Sequence, residues 1–103
     1  MKASKSDPKA GSNLRSAPSL RPLTSAQIRA ARALLRWRAE DLARASAVGV
    51  ATIRRAELTE GETAMTAAND LAIRRALQHA GVAFIEENGG GAGVRLRSKS
   101  NSL

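Results

Sequence analysis

Apolar residues recur every three to four positions along four stretches of the chain, and this period predicts four helices. The first helix begins at a cap on Thr24 or Ser25, and the fourth begins at a cap on Thr66. A second helix is predicted over about residues 39–46 and a third over about residues 50–58. We therefore expect a mainly helical core, with each helix turning one apolar face inward.

The apolar period changes to two after Gly81, which we expect to end the fourth helix in the left-handed conformation. Residues 82–87 alternate and are rich in strand-forming types, residues 88–93 form a glycine-rich loop, and residues 94–97 alternate again. This pattern predicts a β-hairpin. Because an isolated two-stranded ribbon is marginally stable in water, the hairpin must pack on the first and fourth helices or extend a sheet with a second subunit.

Positive charge is concentrated in the helical part of the chain. The net charge is +8, and residues 25–56 hold seven arginines against two carboxylates. Arg74 and Arg75 are predicted on the outer face of the fourth helix. Such a surface suits a polyanion partner, because neutralised phosphates release counterions and supply most non-specific affinity. A solvated, solubilising surface accounts equally well for the charge alone.

The residue types and the two ends of the chain limit its class. We expect one domain over residues 23–97, with a disordered basic tail over residues 1–22 and a second disordered tail over residues 98–103. With no cysteine and with His79 as the one histidine, the chain offers no disulfide, no thiolate nucleophile and no zinc-finger spacing. We expect no metal, no cofactor and no membrane span, and hence a cytoplasmic protein.

The two middle helices are joined by a tight turn with the sequence SAVG, residues 46–49. Apolar side chains anchor both helices and the turn, and they are Leu42, Ala43, Val48, Ile53 and Ala56. Two short anchored helices that are braced by a third form the helix-turn-helix geometry. This geometry places the second helix of the pair in the major groove of DNA.

Residues 23–97 resemble the small bacterial Xre/Cro-type helix-turn-helix transcriptional regulators, and in particular a short alpha-proteobacterial subgroup that ends in a glycine-rich hairpin. The similarity rests on LTSAQIRAARALLRWRAEDLARASAVGVATIRRAE and on TAANDLAIRRALQHAGVAFIEENGGGAGVRLR. It implies a mainly α fold, namely a four-helix Cro/repressor-like domain with a C-terminal β-hairpin. It also implies a sequence-specific DNA-binding regulator that acts as a repressor or autoregulator. Small proteins of this kind bind double-stranded DNA as homodimers on half-sites about 34 Å apart, and hairpin pairing is the candidate interface.

The resemblance assigns roles to residues of the third helix. Val50, Ala51 and Arg55 would face base edges, and Thr52 and Arg54 would lie beside them near the DNA backbone. Arg55 suits bidentate contact with guanine O6 and N7, whereas Val50 and Ala51 suit thymine methyl groups.

The resemblance also implies a structural ion pair between Arg32 and Glu57, which would hold the third helix to the first. Arg38 departs from the family pattern and is expected to contact phosphate, and Gly49 stands where a serine commonly caps the third helix. Ala47 stands where the turn glycine is usual. Because a non-glycine residue at positive φ is strained by about 1 kcal/mol, we expect Gly49 to absorb the turn in its place.

The departures from the family pattern at Arg38, Ala39, Ala47 and Gly49 favour an alternative function. Arg36 stands where a glycine commonly ends the first helix, and Ala39 replaces a glutamine that often contacts phosphate. An antitoxin-like module that binds a protein partner such as a toxin could use the same fold. A general nucleic-acid binder is disfavoured because aromatic stacking residues are few, and both Trp37 and Phe84 are expected in the core. An enzyme is not expected, because the sequence offers no paired carboxylates in an apolar setting, no metal cluster and no Ser/His/Asp arrangement around its one histidine.

Overall fold

The structure is a computed structural model that describes residues 21–97 and is mainly helical. Its elements are helices α1 (Ser25–Leu35), α2 (Ala39–Ser46), α3 (Val50–Leu58) and α4 (Ala67–His79), followed by strands β1 (Val82–Ile85) and β2 (Gly93–Leu96). The four predicted helices and the hairpin are confirmed. The predicted tails lie outside the described residues, apart from residues 21 and 22.

The helix ends follow from local hydrogen bonds. Thr24, and not Ser25, caps α1, because its side-chain oxygen accepts from Gln27 N at 3.0 Å while Gln27 Oε1 accepts from Thr24 N at 3.0 Å. The Thr66 hydroxyl accepts from Asn69 N at 3.1 Å and begins α4. Gly81 follows the end of α4 with a φ of +112°, so the left-handed glycine expected at this point is present.

The core lies where α1, α2, α3, α4 and β1 meet. Its fully buried large side chains are Leu23, Ile28, Leu42, Ile53, Ile73, Leu77 and Val82. Trp37 is half-buried and packs against this cluster from the corner between α1 and α2, as expected. The core thus holds both helices of the predicted helix-turn-helix against their neighbours.

The hairpin packs on α1 and α4 of its own chain. Its strands pair in antiparallel fashion with Ile85 opposite Gly93, so β1 ends two residues earlier than the alternation predicts. The reason is that the Glu87 carboxylate turns back to accept hydrogen bonds from the backbone N–H groups of Gly89 and Gly91, which closes the loop. Gln27 Nε2 donates to the carbonyl of Gly93 at 3.1 Å and ties α1 to β2.

Arg74 corrects the predicted outer face of α4, because it is only 4% exposed. It donates to the carbonyl of Arg21 at 2.7 Å, pairs with Glu86 at 3.3 Å and lies 3.9 Å from Asp70. Its guanidinium also stands 5.3 Å from the centre of the Phe84 ring. The hairpin and the segment before α1 cover this face of α4, which the period of α4 alone does not indicate.

Candidate nucleic-acid interface

The turn between α2 and α3 spans residues 47–49. Ala47 takes the left-handed conformation with φ 63° and ψ 21°, and its N–H donates to the carbonyl of Ala43 at 2.8 Å. Gly49 is extended with φ −60° and ψ 142°, and its carbonyl accepts from Ile53 N at 3.1 Å. The prediction that Gly49 would absorb the turn is therefore wrong. The residue after Ser46 must be left-handed to close α2, and the residue before α3 must be extended to begin the next helix.

Ser46 fixes the turn from inside. Its hydroxyl donates to the carbonyl of Leu42 at 2.7 Å and accepts from Val48 N at 3.2 Å, so this buried polar group has a donor and an acceptor. Val48 is 5% exposed and packs in the core. We did not single out Ser46 from the sequence, although a serine in the last turn of a helix can back-bond to the carbonyl four residues earlier.

The two sides of α3 differ sharply in exposure. Ile53, Ala56 and Glu57 are buried, whereas Ala51, Arg54 and Arg55 are exposed, and Val50 and Thr52 are half-buried. The residues assigned to base reading thus lie on the outward side of a helix whose inner side is anchored. Within residues 21–97, Arg55 has no hydrogen-bond or ion-pair partner, which leaves its five N–H donors available.

Arg54 is held by an acidic partner that the sequence did not predict. Its guanidinium donates to the carboxylate of Glu40 in the first turn of α2, and both side chains are about half exposed, at 56% and 44%. The pKa of Glu40 is lowered, first by a hydrogen bond from its own backbone N–H and then by the contact with Arg54. The pair links residues 14 positions apart, so no helical spacing signals it.

The N-terminus of α2 places Arg38 beside the two acidic residues of the first turn, Glu40 and Asp41, and is fixed by hydrogen bonds. Arg38 is exposed and directly precedes α2, and its backbone N–H donates to the Asp41 carboxylate at 2.8 Å. The other oxygen of Asp41 accepts from Arg44 at 2.7 Å. The pKa of Asp41 is lowered, first by the N–H of Arg38 and then by the charges of Arg38 and Arg44. The start of the helix is thereby fixed, and the Arg38 side chain is exposed.

Arg32 and Glu57 form a bidentate pair between α1 and the last turn of α3. Arg32 Nε and a terminal guanidinium nitrogen each lie 2.7 Å from a Glu57 oxygen, with side-chain exposures of 21% and 9%. Arg32 also donates to the carbonyl of Trp37 at 3.0 Å, and Arg29 donates to the backbone carbonyl of Glu57 at 2.6 Å. The hydrogen bond with Glu57 raises the pKa of Arg32. The end of α3 is therefore locked to α1.

Residues 21–97 contain no group of three His, Cys, Asp or Glu side chains that could hold a metal ion. None of the helices in this range has the length and apolarity needed to cross a membrane.

Comparison with models of known protein families finds no match for this chain, and comparison with curated proteins finds no significant match.

Proposed function

We propose that the protein is a sequence-specific regulator of transcription that binds double-stranded DNA through a Cro/repressor-like helix-turn-helix domain. One observation carries this proposal. The helix α3, preceded by a three-residue turn, is anchored to α1 and α2 on one side and presents Ala51, Arg54 and Arg55 on the other. A short, anchored helix with an exposed side that carries two arginines fits the major groove.

In the proposed complex, phosphate contacts set the register and α3 reads the bases. Arg38 and the turn at Gly49 would dock on the backbone, with Thr52 and Arg54 flanking the groove. Arg55 would donate to O6 and N7 of one guanine. Ala51 and the half-buried Val50 would contact thymine methyl groups. Regulation would follow from occupancy of the site, as a repressor or autoregulator.

A homodimer would extend this binding over two half-sites about 34 Å apart. The hairpin is the proposed interface. Among the described residues β2 has a single strand partner, β1, and Leu96 at its end is 47% exposed. Pairing of two hairpins would bury this side chain and relate the two copies of α3 by a twofold axis.

An antitoxin-like role, in which the same fold binds a protein such as a toxin, is the second candidate. The exposure of Leu58 at the end of α3, which reaches 82%, favours it. A large apolar side chain at this position suits a protein surface better than a phosphate backbone. Steep salt dependence together with a shifted specific DNA fragment would separate DNA regulation from this alternative.

The direct test of the proposal is Arg55→Ala. At the cognate site this change should cost about 1–3 kcal/mol of binding free energy and relax specificity at one base position. Fluorescence anisotropy with the cognate duplex and with single-base variants measures both effects. The control is Arg75→Ala, which removes the same charge from an exposed position on α4. Full affinity and full specificity in Arg55→Ala would refute the assignment.

A further inference from the structure

Arg54 and Arg55 are adjacent cations on α3, but their surroundings differ. The guanidinium of Arg54 is engaged by Glu40 across the turn, whereas Arg55 has no such partner within residues 21–97. Both members of the Arg54–Glu40 pair are about half exposed. Because Arg54 flanks the groove in the proposed complex, the pair would lie on the surface that faces DNA.

Stability does not account well for this pair. An ion pair between exposed side chains contributes about 0–1 kcal/mol to folding, because water and salt screen it. The pair joins α2 to α3, and both helices already contribute fully buried side chains to the core, Leu42 and Ile53. At the start of α2 the hydrogen bond from Arg38 N to Asp41 does not involve Glu40. The contact with Glu40 bears more directly on how Arg54 meets a phosphate.

A phosphate that approaches Arg54 must compete with the Glu40 carboxylate for the same guanidinium. It also meets the negative charge of Glu40 itself. Sequence-independent binding depends almost entirely on such phosphate contacts, whereas base reading depends on groups such as Arg55. A carboxylate that occupies one of two neighbouring arginines thus weakens the non-specific mode and leaves the reading group available.

We propose that Glu40 restrains sequence-independent DNA binding by keeping Arg54 from the phosphates, an inference that rests on the proposed function. Glu40 is then a positioning residue for specificity, and it needs no contact with any base. Replacement by glutamine keeps the size of the side chain and removes the charge that holds Arg54.

The experiment measures binding of wild type and Glu40→Gln to a duplex of random sequence, by fluorescence anisotropy over a series of salt concentrations. One additional neutralised phosphate steepens the slope of log K against log salt by about 0.9. Between 50 and 200 mM salt, the affinity of the variant should therefore fall about threefold further than the affinity of wild type. At low salt the variant should bind more tightly. The matched control is Glu62→Gln, which makes the same charge change at a half-exposed glutamate that pairs with Arg21 at 3.8 Å.

A second comparison, made in protein that carries Arg54→Gln, separates the release of Arg54 from the simple loss of a negative charge. With Arg54→Gln already present, Glu40→Gln should leave the slope unchanged. The inference is overturned if Glu40→Gln has the wild-type slope, or if it steepens the slope equally with and without Arg54. If wild type shows no salt-dependent binding to any duplex, the proposed function fails as well. If wild type binds DNA and only the Glu40 effect is missing, the proposed function stands and this inference alone fails.

Discussion

Among the described residues other than glycine, Arg36 and Ala47 have a positive φ, at 59° and 63°. Each ends a helix by turning the chain sharply, and the N–H of each donates back into the helix that it closes. An L-residue in this conformation is strained by about 1 kcal/mol. The turns from α1 to α2 and from α2 to α3 are therefore retained at a cost in stability.

We expect Ala47→Gly to stabilise the protein by about 0.5–1 kcal/mol, because glycine adopts this conformation without strain. This relief of strain outweighs the greater freedom that glycine has in the unfolded chain. The Ala47 side chain is exposed, so the change removes little packing. Urea denaturation measures the difference. The control is Ala30→Gly, an exposed position inside α1, which should destabilise by about 1 kcal/mol. Destabilisation by both changes would contradict this account of the turn.

Residue-level features were predictable where they depend on neighbours in sequence. Thr24 and Thr66 carry hydroxyls that cap the start of a helix, Gly81 has the backbone freedom to turn the chain after one, and the structure uses each of them in this way. The conformation of Ala47 was assigned wrongly. The intrinsic strain of alanine favours a glycine at the left-handed position, but the geometry of closing α2 decides which residue must be left-handed.

At the scale of elements, Arg74 joins three parts of the fold. It lies in α4, pairs with Glu86 just after β1, and donates to the carbonyl of Arg21 before α1. A buried cation is tolerated only when it is paired and hydrogen-bonded, and Arg74 meets both conditions. This residue therefore holds the hairpin and the start of the domain against α4.

Arg74→Ala should destabilise the domain by about 3 kcal/mol, because it removes the cation beside Asp70 and Glu86, removes the hydrogen bond to the carbonyl of Arg21, and empties a buried site. The neighbouring Arg75 is exposed, so Arg75→Ala should change stability by less than about 0.5 kcal/mol. Chemical denaturation of the two variants makes the comparison. Equal stabilities would show that the Arg74 contacts contribute nothing to folding.

The elements themselves were predictable because the apolar period differs between helices and strands, and the bounds of α2 and α3 agree with that period. Contacts between elements were not. Arg74 is buried because a hairpin folds over it, and Glu40 meets Arg54 because the turn brings the first turn of α2 beside α3. Neither contact follows from a spacing of three or four residues.

At the scale of the whole molecule, the oligomeric state decides how many copies of α3 engage DNA together. We expect a homodimer in which Leu96→Lys weakens association at least about tenfold, since burial of a leucine contributes about 1.5–3 kcal/mol. Light scattering over a range of protein concentrations measures the dissociation. Leu71→Lys on α4 is the control, because Leu71 is 40% exposed against 47% for Leu96. A monomeric wild type, or an unchanged dimer in Leu96→Lys, would contradict hairpin pairing.

The net charge of +8 favours binding to any polyanion, so affinity for DNA alone does not establish sequence-specific regulation. In the proposed complex, specificity would depend on the few groups that α3 presents, with Arg55 as the principal hydrogen-bond donor. The partnering of Arg54 by Glu40 makes this dependence stronger. The central claim is therefore a claim about sequence preference and symmetry.

The most direct test is to select the duplexes that the purified protein retains from a pool of random sequence, at a salt concentration near that of a cell. We predict enrichment of a palindromic motif whose half-sites are separated by about 34 Å, or one turn of DNA. A guanine should recur at the position that Arg55→Ala relaxes. A retained pool with no enriched motif would contradict the claim that this protein reads DNA sequence.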